Sequence, residues 1–457
     1  MAGELARALD LQGRIDCELS LERRARPVKV RRRGASPAQL VLALAECQLA
    51  GGSFFSDLEE IRADEAGALL RIVSDTPSAP AALQRAKGFR RVHCQRIERA
   101  LADAGHELDR LLGRERSMEL FTVDLDATQI EVFGRYKQGA ARNRQGQLSY
   151  APHIAFWAQS GRALCGELVG GNREKLSGQE CARIARRAIS LLSAGDQRPR
   201  ERGPLCFRVD SAYYQIELLT ALRAERACFT VSVPRNPAMW KALEQIGEDA
   251  WQDALEMPSA QVAEITYTPQ GWKAEPLRLI VRRTVYSAAQ IARLKGSRRL
   301  KTIHPDQLQL ALDGQIDSVY GYNFILTDIH YQPAAWIEHF HRHRAQAEER
   351  LKDAKLGQAL RHLPSGDEHA NRVWLTAALL ALNLTAFCCD MCPAAGASSG
   401  PDAEPQRRHA KALRNLIFCI PLRVVRTARR LILRPPAGFR HRKILQETLD
   451  AIHALGP

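Results

Sequence analysis

Two carboxylates stand two residues apart in Asp124-Leu125-Asp126-Ala127-Thr128. Alternate side chains of an extended chain share a face, so Asp124 and Asp126 point the same way. Such a pair repels itself unless a cation or solvent intervenes. It can hold a hard divalent cation, or it can simply cap the turn after a strand. A further carboxylate, Asp210, ends the apolar run Cys206-Phe207-Arg208-Val209. The carboxyl ends of strands in α/β sheets gather functional side chains, and Asp caps turns there too. Farther on, the run from His341 to Lys355 spaces His341, Arg344, Glu348 and Lys355 by three, four and seven. In one continuous helix these four form a single stripe, within a few tens of degrees. A solvated face with i,i+4 ion pairs gives the same pattern. Glu349 is an alternative acid, but it points about 100° away from Glu348.

Periodicity shows which elements must position these groups. Residues 118–126 and 130–133 read as strands, and 154–157 and 163–168 continue the sheet. A helix is expected over 178–192, a strand over 205–209, a helix over 216–223 and a strand over 228–233. That order predicts a mixed α/β sheet. Residues 234–335 carry strand signals at 264–267, 277–286 and 323–328, separated by polar stretches. Helical pattern resumes at Trp336, holds through Lys355, and returns in a long apolar helix from about Glu368. That helix contains Asn383 and two threonines. It falls short of the ~20 apolar residues of a membrane span, and reads as a buried helix.

The flanks are basic. Residues 1–35 are polar and end in Arg26, Lys29 and Arg31 to Arg33. They read as a flexible arm, either tracking a phosphate backbone or simply solvated. Ser36-Pro37-Ala38-Gln39 is a helix start with a capping box, and Gly51-Gly52 stops that helix. Further helical patterns continue at 55–72, from about 78, and up to about 112. Residues 36–115 are thus an all-helical module, either a DNA-binding domain or a cap on the α/β segment that comes after it. Residues 394–407 read as a loop. The tail reads as a basic helical region with Arg423, Arg426, Arg429, Arg430 and Arg434.

The totals agree. A chain of 457 residues predicts two to four domains. With 66 Lys and Arg against 51 Asp and Glu, the net charge of +15 points to a polyanion, nucleic acid first. The 11 cysteines are scattered, which predicts reduced thiols in a cytosolic setting. Cys389 and Cys392 have zinc-like spacing but no second pair, so they read as core thiols. The start, MAGELARALD, has no signal-peptide pattern.

In order along the chain, these blocks resemble the DDE-type insertion-sequence transposases of bacteria (transposase DDE domain family, group 1) with the signature Y-(2)-R-(3)-E-(6)-K. Arg344, Glu348 and Lys355 stand at the right separations, with His341 at the tyrosine position. Asp124 to Thr128 resembles the first-aspartate block, followed by Gln138-Gly139-Ala140 and Ser149-Tyr150-Ala151-Pro152. Gly170-Gly171-Asn172 resembles a block after the third strand. Phe207 to Ser211 resembles the second-aspartate block, with Ser211-Ala212-Tyr213 departing from the usual Gly-Phe. Ala370-Asn371-Arg372 and Leu382-Asn383-Leu384 are similar to the helix after the glutamate. Asp126 to Asp210 spans 84 positions and Asp210 to Glu348 spans 138. The longer gap resembles the group with a β-rich insertion.

The resemblance implies an α/β fold. Its ribonuclease H-like catalytic core would lie at 116–233 and 336–392, with a β-rich insertion at 234–335. A basic arm (1–35) and a helical, DNA-binding N-terminal domain (36–115) would precede it, and a basic helical C-terminal region (408–457) would follow. It implies Mg²⁺ or Mn²⁺, two ions, held by Asp126, Asp210 and Glu348, with Asp124 as the alternative acid. Two metals can stabilise the charge that develops on attacking and leaving oxygens. His341, Arg344 and Lys355 would hold phosphates, and Trp272 or Trp336 either stacks on an unpaired base or fills the core. Implied partners are double-stranded DNA, as terminal inverted repeats and target, and a second copy on that DNA. Neither a membrane nor a small-molecule cofactor is implied, and the location would be the bacterial cytoplasm at the nucleoid. The rival readings are an inactive or domesticated DNA-binding protein and a ribonuclease H-like nuclease without strand transfer.

Overall fold

The computed structural model describes residues 1–29, 34–113, 120–134, 136–192, 204–294, 297–392, 409–427 and 430–456. The stretch expected to be a flexible arm begins instead with helices α1 (Ala2–Ala8) and α2 (Leu11–Ser20). Leu5, Leu9, Leu11 and Ile15 are buried. Four apolar side chains at near-helical spacing outweigh the polar residues around them. The basic run at 31–33 lies outside the described residues.

Next come α3 (Pro37–Ala50), α4 (Leu58–Ala63), α5 (Ala79–Ala86) and α6 (Arg91–Leu111). The capping box is present: Ser36 Oγ accepts from Gln39 N–H, and Gln39 Oε1 accepts from Ser36 N–H. Gly51 closes α3 in the left-handed region (φ 106°).

Strands β1 (Phe121–Ala127), β2 (Ile130–Glu131), β3 (Ala141–Arg142), β4 (Leu148–Tyr150), β5 (His153–Trp157) and β6 (Arg162–Glu167) come after α6. Then come α7 (Gly178–Leu192), β7 (Leu205–Val209), α8 (Ile216–Ala224) and β8 (Ala227–Val233). The next segment holds α9 (Pro237–Leu243), β9 (Gln252–Asp253), β10 (Ala260–Tyr267), β11 (Leu277–Ser287), α10 (Ala288–Arg293), α11 (Pro305–Leu312) and β12 (Ser318–Thr327). The chain ends with α12 (Ala334–Arg342), α13 (Ala345–Gly357), α14 (Glu368–Met391), α15 (Ala410–Leu413), β13 (Arg423–Thr427), β14 (Arg430–Arg434) and α16 (Arg442–His453).

Nine strands form one mixed sheet in the order β6-β5-β1-β7-β8-β12-β11-β10-β9. β5 and β6 are antiparallel to their neighbours, and β1, β7 and β8 are parallel. The β-rich segment at 234–335 is therefore not a separate sheet. Its strand β12 pairs with β8, Leu326 opposite Val231, and extends the same sheet. Alternation sorts the two faces. Val123, Leu125, Phe207, Val209, Phe229 and Val231 pack with residues of α7 and α8. Cys206, Val262, Ile280 and Ile325 pack on the other face with Ala334 and Ile337 of α12.

The α14 helix is the second organiser. It is long and apolar enough to cross a membrane by length and composition, yet 89% of its most apolar window is buried inside the protein. It shares one core with α3, α6 and β5. Gln48 Nε2 donates to Trp374 O at 3.2 Å. The Asn383 side chain bonds both the N–H and the carbonyl of Ala163, at 2.7 and 2.8 Å, which explains an amide in an apolar helix. Arg162 joins Asp109 of α6 and Asp390 of α14 at 2.6 and 3.0 Å. The helices of residues 37–111 are thus packed as a cap on α14.

Two expected helices differ. The run from Trp336 to Lys355 breaks at His343-Arg344, between α12 and α13. The basic tail contains an antiparallel hairpin, β13 on β14, where Val424-Val425 faces Ile432-Leu433. β-branched residues favour strands over helix there. The loop expected at 394–407 and Arg429 lie outside the described residues. The cysteines stand as thiols, and Cys388 and Cys392 are buried on or beside α14.

Candidate active site

The register of β1 on β7 decides the fate of the aspartates. Asp124 stands opposite Arg208 and Leu125 opposite Val209. One step further, Asp126 lies beside Asp210, whose backbone is still extended (φ −82°, ψ −177°). One rung therefore pairs opposite charges, and the rung two residues on places like charges together.

Asp124 is fully buried, and Arg208 grips it with a fork: Nε to Oδ1 at 2.7 Å and Nη2 to Oδ2 at 2.8 Å. Arg350 adds a contact at 3.6 Å, and Arg208 Nη1 donates to the Phe340 carbonyl at 2.9 Å. Both oxygens of Asp124 are occupied by this ion pair, so its place is structural. A lone arginine inside the apolar run 206–209 calls for a buried anion, but only the strand pairing shows that the anion is Asp124.

Asp126 is poorly compensated. Its Oδ1 accepts from the Ala127 N–H at 2.9 Å, and Arg344 Nη1 lies 3.6 Å from its Oδ2. Asp210 accepts from the Ala212 N–H at 2.9 Å. Burial pushes the Asp126 carboxyl up to about 7; Arg344 opposes that, while Asp210 and Glu348 add to it. Asp210 is raised as well, by burial first, with Arg344 opposing and Glu348 adding. Asp126 therefore feels the charge of Asp210 and Glu348, and Arg344 opposes it.

Arg344 sits at the break before α13. Its Nη2 donates to Glu348 Oε1 at 3.1 Å, and its buried Nη1 has no hydrogen-bond partner. The Glu348 side chain is 63% exposed. It stands in the first turn of α13, where the helix dipole favours a carboxylate. Carboxylate oxygens are the donors that Mg²⁺ or Mn²⁺ prefers. Among the described residues no three acidic, His or Cys side chains converge on one point; Arg344 stands between Asp126 and Glu348 and supplies the positive charge.

His341 does not join this group. Its ring is buried against β8, Nε2 at 2.9 Å from Ser232 Oγ and Nδ1 at 2.8 Å from Thr230 Oγ1. Burial lowers its pKa to about 3, with Arg344, Arg208 and Arg282 adding to the effect. The expected phosphate donor is a neutral core residue. The helix break rotates it away from the stripe, and two hydroxyls satisfy both nitrogens. Lys355 reaches the turn after β1, where its Nζ donates to the Gln129 carbonyl at 2.9 Å. Trp272 is buried and donates to the Glu275 carbonyl at 2.8 Å, and so belongs to the core. Trp336 stacks on Phe340, centroids 5.0 Å apart. Sequence reasoning missed Tyr213, fully buried behind the aspartates, whose hydroxyl lies 2.7 Å from His153 Nδ1. Only the fold brings these two together.

No curated protein matches the sequence. One solved structure, a piggyBac transposase synaptic complex with hairpin DNA, aligns at 10% identity and a TM-score of 0.41, over 90% of this chain and 78% of that one. So distant an alignment bears on neither fold nor chemistry. The family model described as transposase DDE domain group 1 is different in kind, for it matches residues 7–294 and 313–457. That match takes in β1, β7 and α13 together with the acids they carry, and on its extent the chain belongs to the transposase DDE domain family, group 1.

Proposed function

We propose that this protein cuts phosphodiester bonds at the ends of a DNA element and joins the freed 3′-hydroxyl to target DNA. Asp126, Asp210 and Glu348 are the ligands of two Mg²⁺ or Mn²⁺ ions in this reading. The observation that carries it is the register of β1 on β7, which sets Asp126 beside Asp210 at the carboxyl ends of parallel strands. Poorly compensated like charges in a buried place cost stability, while two residues earlier the same strands neutralise Asp124. The mixed sheet of β1 and β5 to β8, with α7, α8 and α12 to α14, is the ribonuclease H-like core in this reading.

When bound, two such ions stabilise charge on both the attacking and the leaving oxygen. The chain's own residues do the rest. Asp126 would have to give up its proton to serve as a ligand, so cation binding would strengthen as pH rises toward and past about 7. Glu348 enters from α13. Arg344, released from Asp126, offers a phosphate the bidentate fork that a lysine lacks. Lys355 holds the turn after β1 in place. Burial of His341 makes its departure from tyrosine no argument for lost catalysis. The partner is duplex DNA, with a second copy of the chain on the other end.

The test is cleavage of the DNA that flanks the coding region, with Mg²⁺ or Mn²⁺, by the unaltered protein and by Asp126→Asn, Asp210→Asn and Glu348→Gln. Cuts at the repeat edge that depend on metal and vanish in all three variants support the reading. Binding without cutting by the unaltered protein points to an inactive DNA-binding protein. Cutting that survives the substitutions refutes the site.

A further inference from the structure

Directly after Asp126 the chain enters a small sheet of its own, in the order β2-β4-β3. Its root is held from several sides. The Gln129 side chain joins Ser149 Oγ at 2.8 Å and the Gly171 carbonyl at 3.0 Å, while its carbonyl takes the Lys355 ammonium. Lys137 Nζ donates to the carbonyls of Leu363 and Ser365 at 2.7 and 3.0 Å. The buried Tyr150 hydroxyl bonds the Gln138 carbonyl and accepts from Asn371 at 3.3 Å.

On this fixed frame two rings stand in water. Phe133 is 76% exposed and Tyr136 is 89% exposed, the two most exposed large hydrophobic side chains among the described residues. Gly134 turns the chain between them (φ 111°). Neither ring stabilises the fold by burial. Arg142 and Arg144 of the same small sheet are exposed, while Glu368, at the start of α14 beside Gly139, is paired with Arg372. From residue 127 to 166 the only acid in the sequence is Glu131. A flat apolar ring amid cationic side chains suits a nucleotide, whose base offers a π face and whose phosphate answers the charge.

We propose that this wing, which follows directly on the strand carrying Asp126, binds unpaired DNA bases by stacking them on Phe133 and Tyr136. The presence of DNA rests on the transposase reading; the stacking rests on the wing. Trp272 and Trp336, the rings that sequence suggested for this role, are taken up by the core or by Phe340.

The probe is a DNA duplex with a short single-stranded overhang carrying 2-aminopurine, mixed with the full chain in metal-free buffer. The unaltered protein is expected to quench the overhang base further and to leave the already low signal of the same base unchanged when it is paired. Phe133→Ala with Tyr136→Ala is expected to abolish the quench and weaken overhang binding about tenfold or more, while affinity for fully paired duplex changes less than about threefold. Phe133→Trp with Tyr136→Trp is expected to restore the quench. The proposal is overturned if the alanine pair quenches as the unaltered protein does. It is equally overturned if paired and unpaired DNA lose affinity alike, or if only the oligomeric state changes. Quench without metal-dependent cleavage would sink the transposase reading and leave the wing; cleavage with no quench would sink the wing alone.

Discussion

Asp124 and Asp126 share one face of one strand, and replacing each by asparagine is expected to move stability in opposite directions. Asp124→Asn leaves Arg208 buried without its carboxylate and removes a negative charge 3.6 Å from Arg350. Breaking a buried pair by removing one partner costs about 3–5 kcal/mol. Asp126→Asn removes a carboxyl that burial has pushed from 3.8 up to about 7. Three pKa units correspond to about 4 kcal/mol, an upper bound that relaxation reduces to about 2 kcal/mol. The folded state binds the Asp126 proton more tightly than the unfolded state does. Wild-type stability from this group therefore falls as pH rises from about 4 to about 7 and is flat above. The advantage of Asp126→Asn grows over the same window. The assay is thermal and urea unfolding in chelator-containing buffer at several pH values, with a parallel series in Mg²⁺. Asp124→Asn is expected to lose several degrees of Tm at every pH, and Asp126→Asn to gain at pH 8. Mg²⁺ should stabilise the unaltered protein more than Asp126→Asn. If Asp126→Asn is as destabilised as Asp124→Asn, the like-charge account of the site is wrong.

His341→Gln should make the protein less sensitive to acid. Its folded pKa of about 3 lies below the ordinary 6.5, so the unfolded chain binds the proton first and stability is lost as pH falls from about 6.5, by about 2 kcal/mol at pH 5; equal acid sensitivity of the two proteins in urea titrations would refute this. A fragment of residues 1–112 is expected not to fold alone, because α3 and α6 share their core with α14; a cooperative melt by circular dichroism would overturn that. Arg423 and Arg434 are exposed and face each other across β13 and β14, a like-charge pair that a polyanion relieves. Replacing both by alanine is expected to lower the slope of log K against log salt for duplex DNA by about 0.9 per lost contact, and an unchanged slope would exclude the hairpin from the DNA interface.

Local chemistry was the legible part. Alternation in β1 and β7, the Ser36–Gln39 capping box and the apolar α14 each derive from near neighbours in sequence, and each stands where periodicity put it. Positions set by distant partners were not legible. No local pattern says that Asp124 will meet Arg208, 84 positions away, or that β12 will pair with β8 and so make the β-rich segment part of the main sheet. The stripe from His341 to Lys355 assumed an unbroken helix. The break at Arg344 sent His341 into the core and left Arg344 and Glu348 together at the site. Leu5, Leu9, Leu11 and Ile15 were overlooked because their surroundings are charged, although their spacing was helical.

The shared α14 has a consequence for scale. The helices of residues 37–111 and the sheet that carries Asp126 both rest on it, through Gln48, Asn383 and Asp390. Both pack on the same helix, so their spacing is set by that packing. Any stretch of duplex gripped by the helical cap would lie a set number of base pairs from the bond opposite Asp126, so the offset between the sequence read and the position cut would be written into the packing of a single helix.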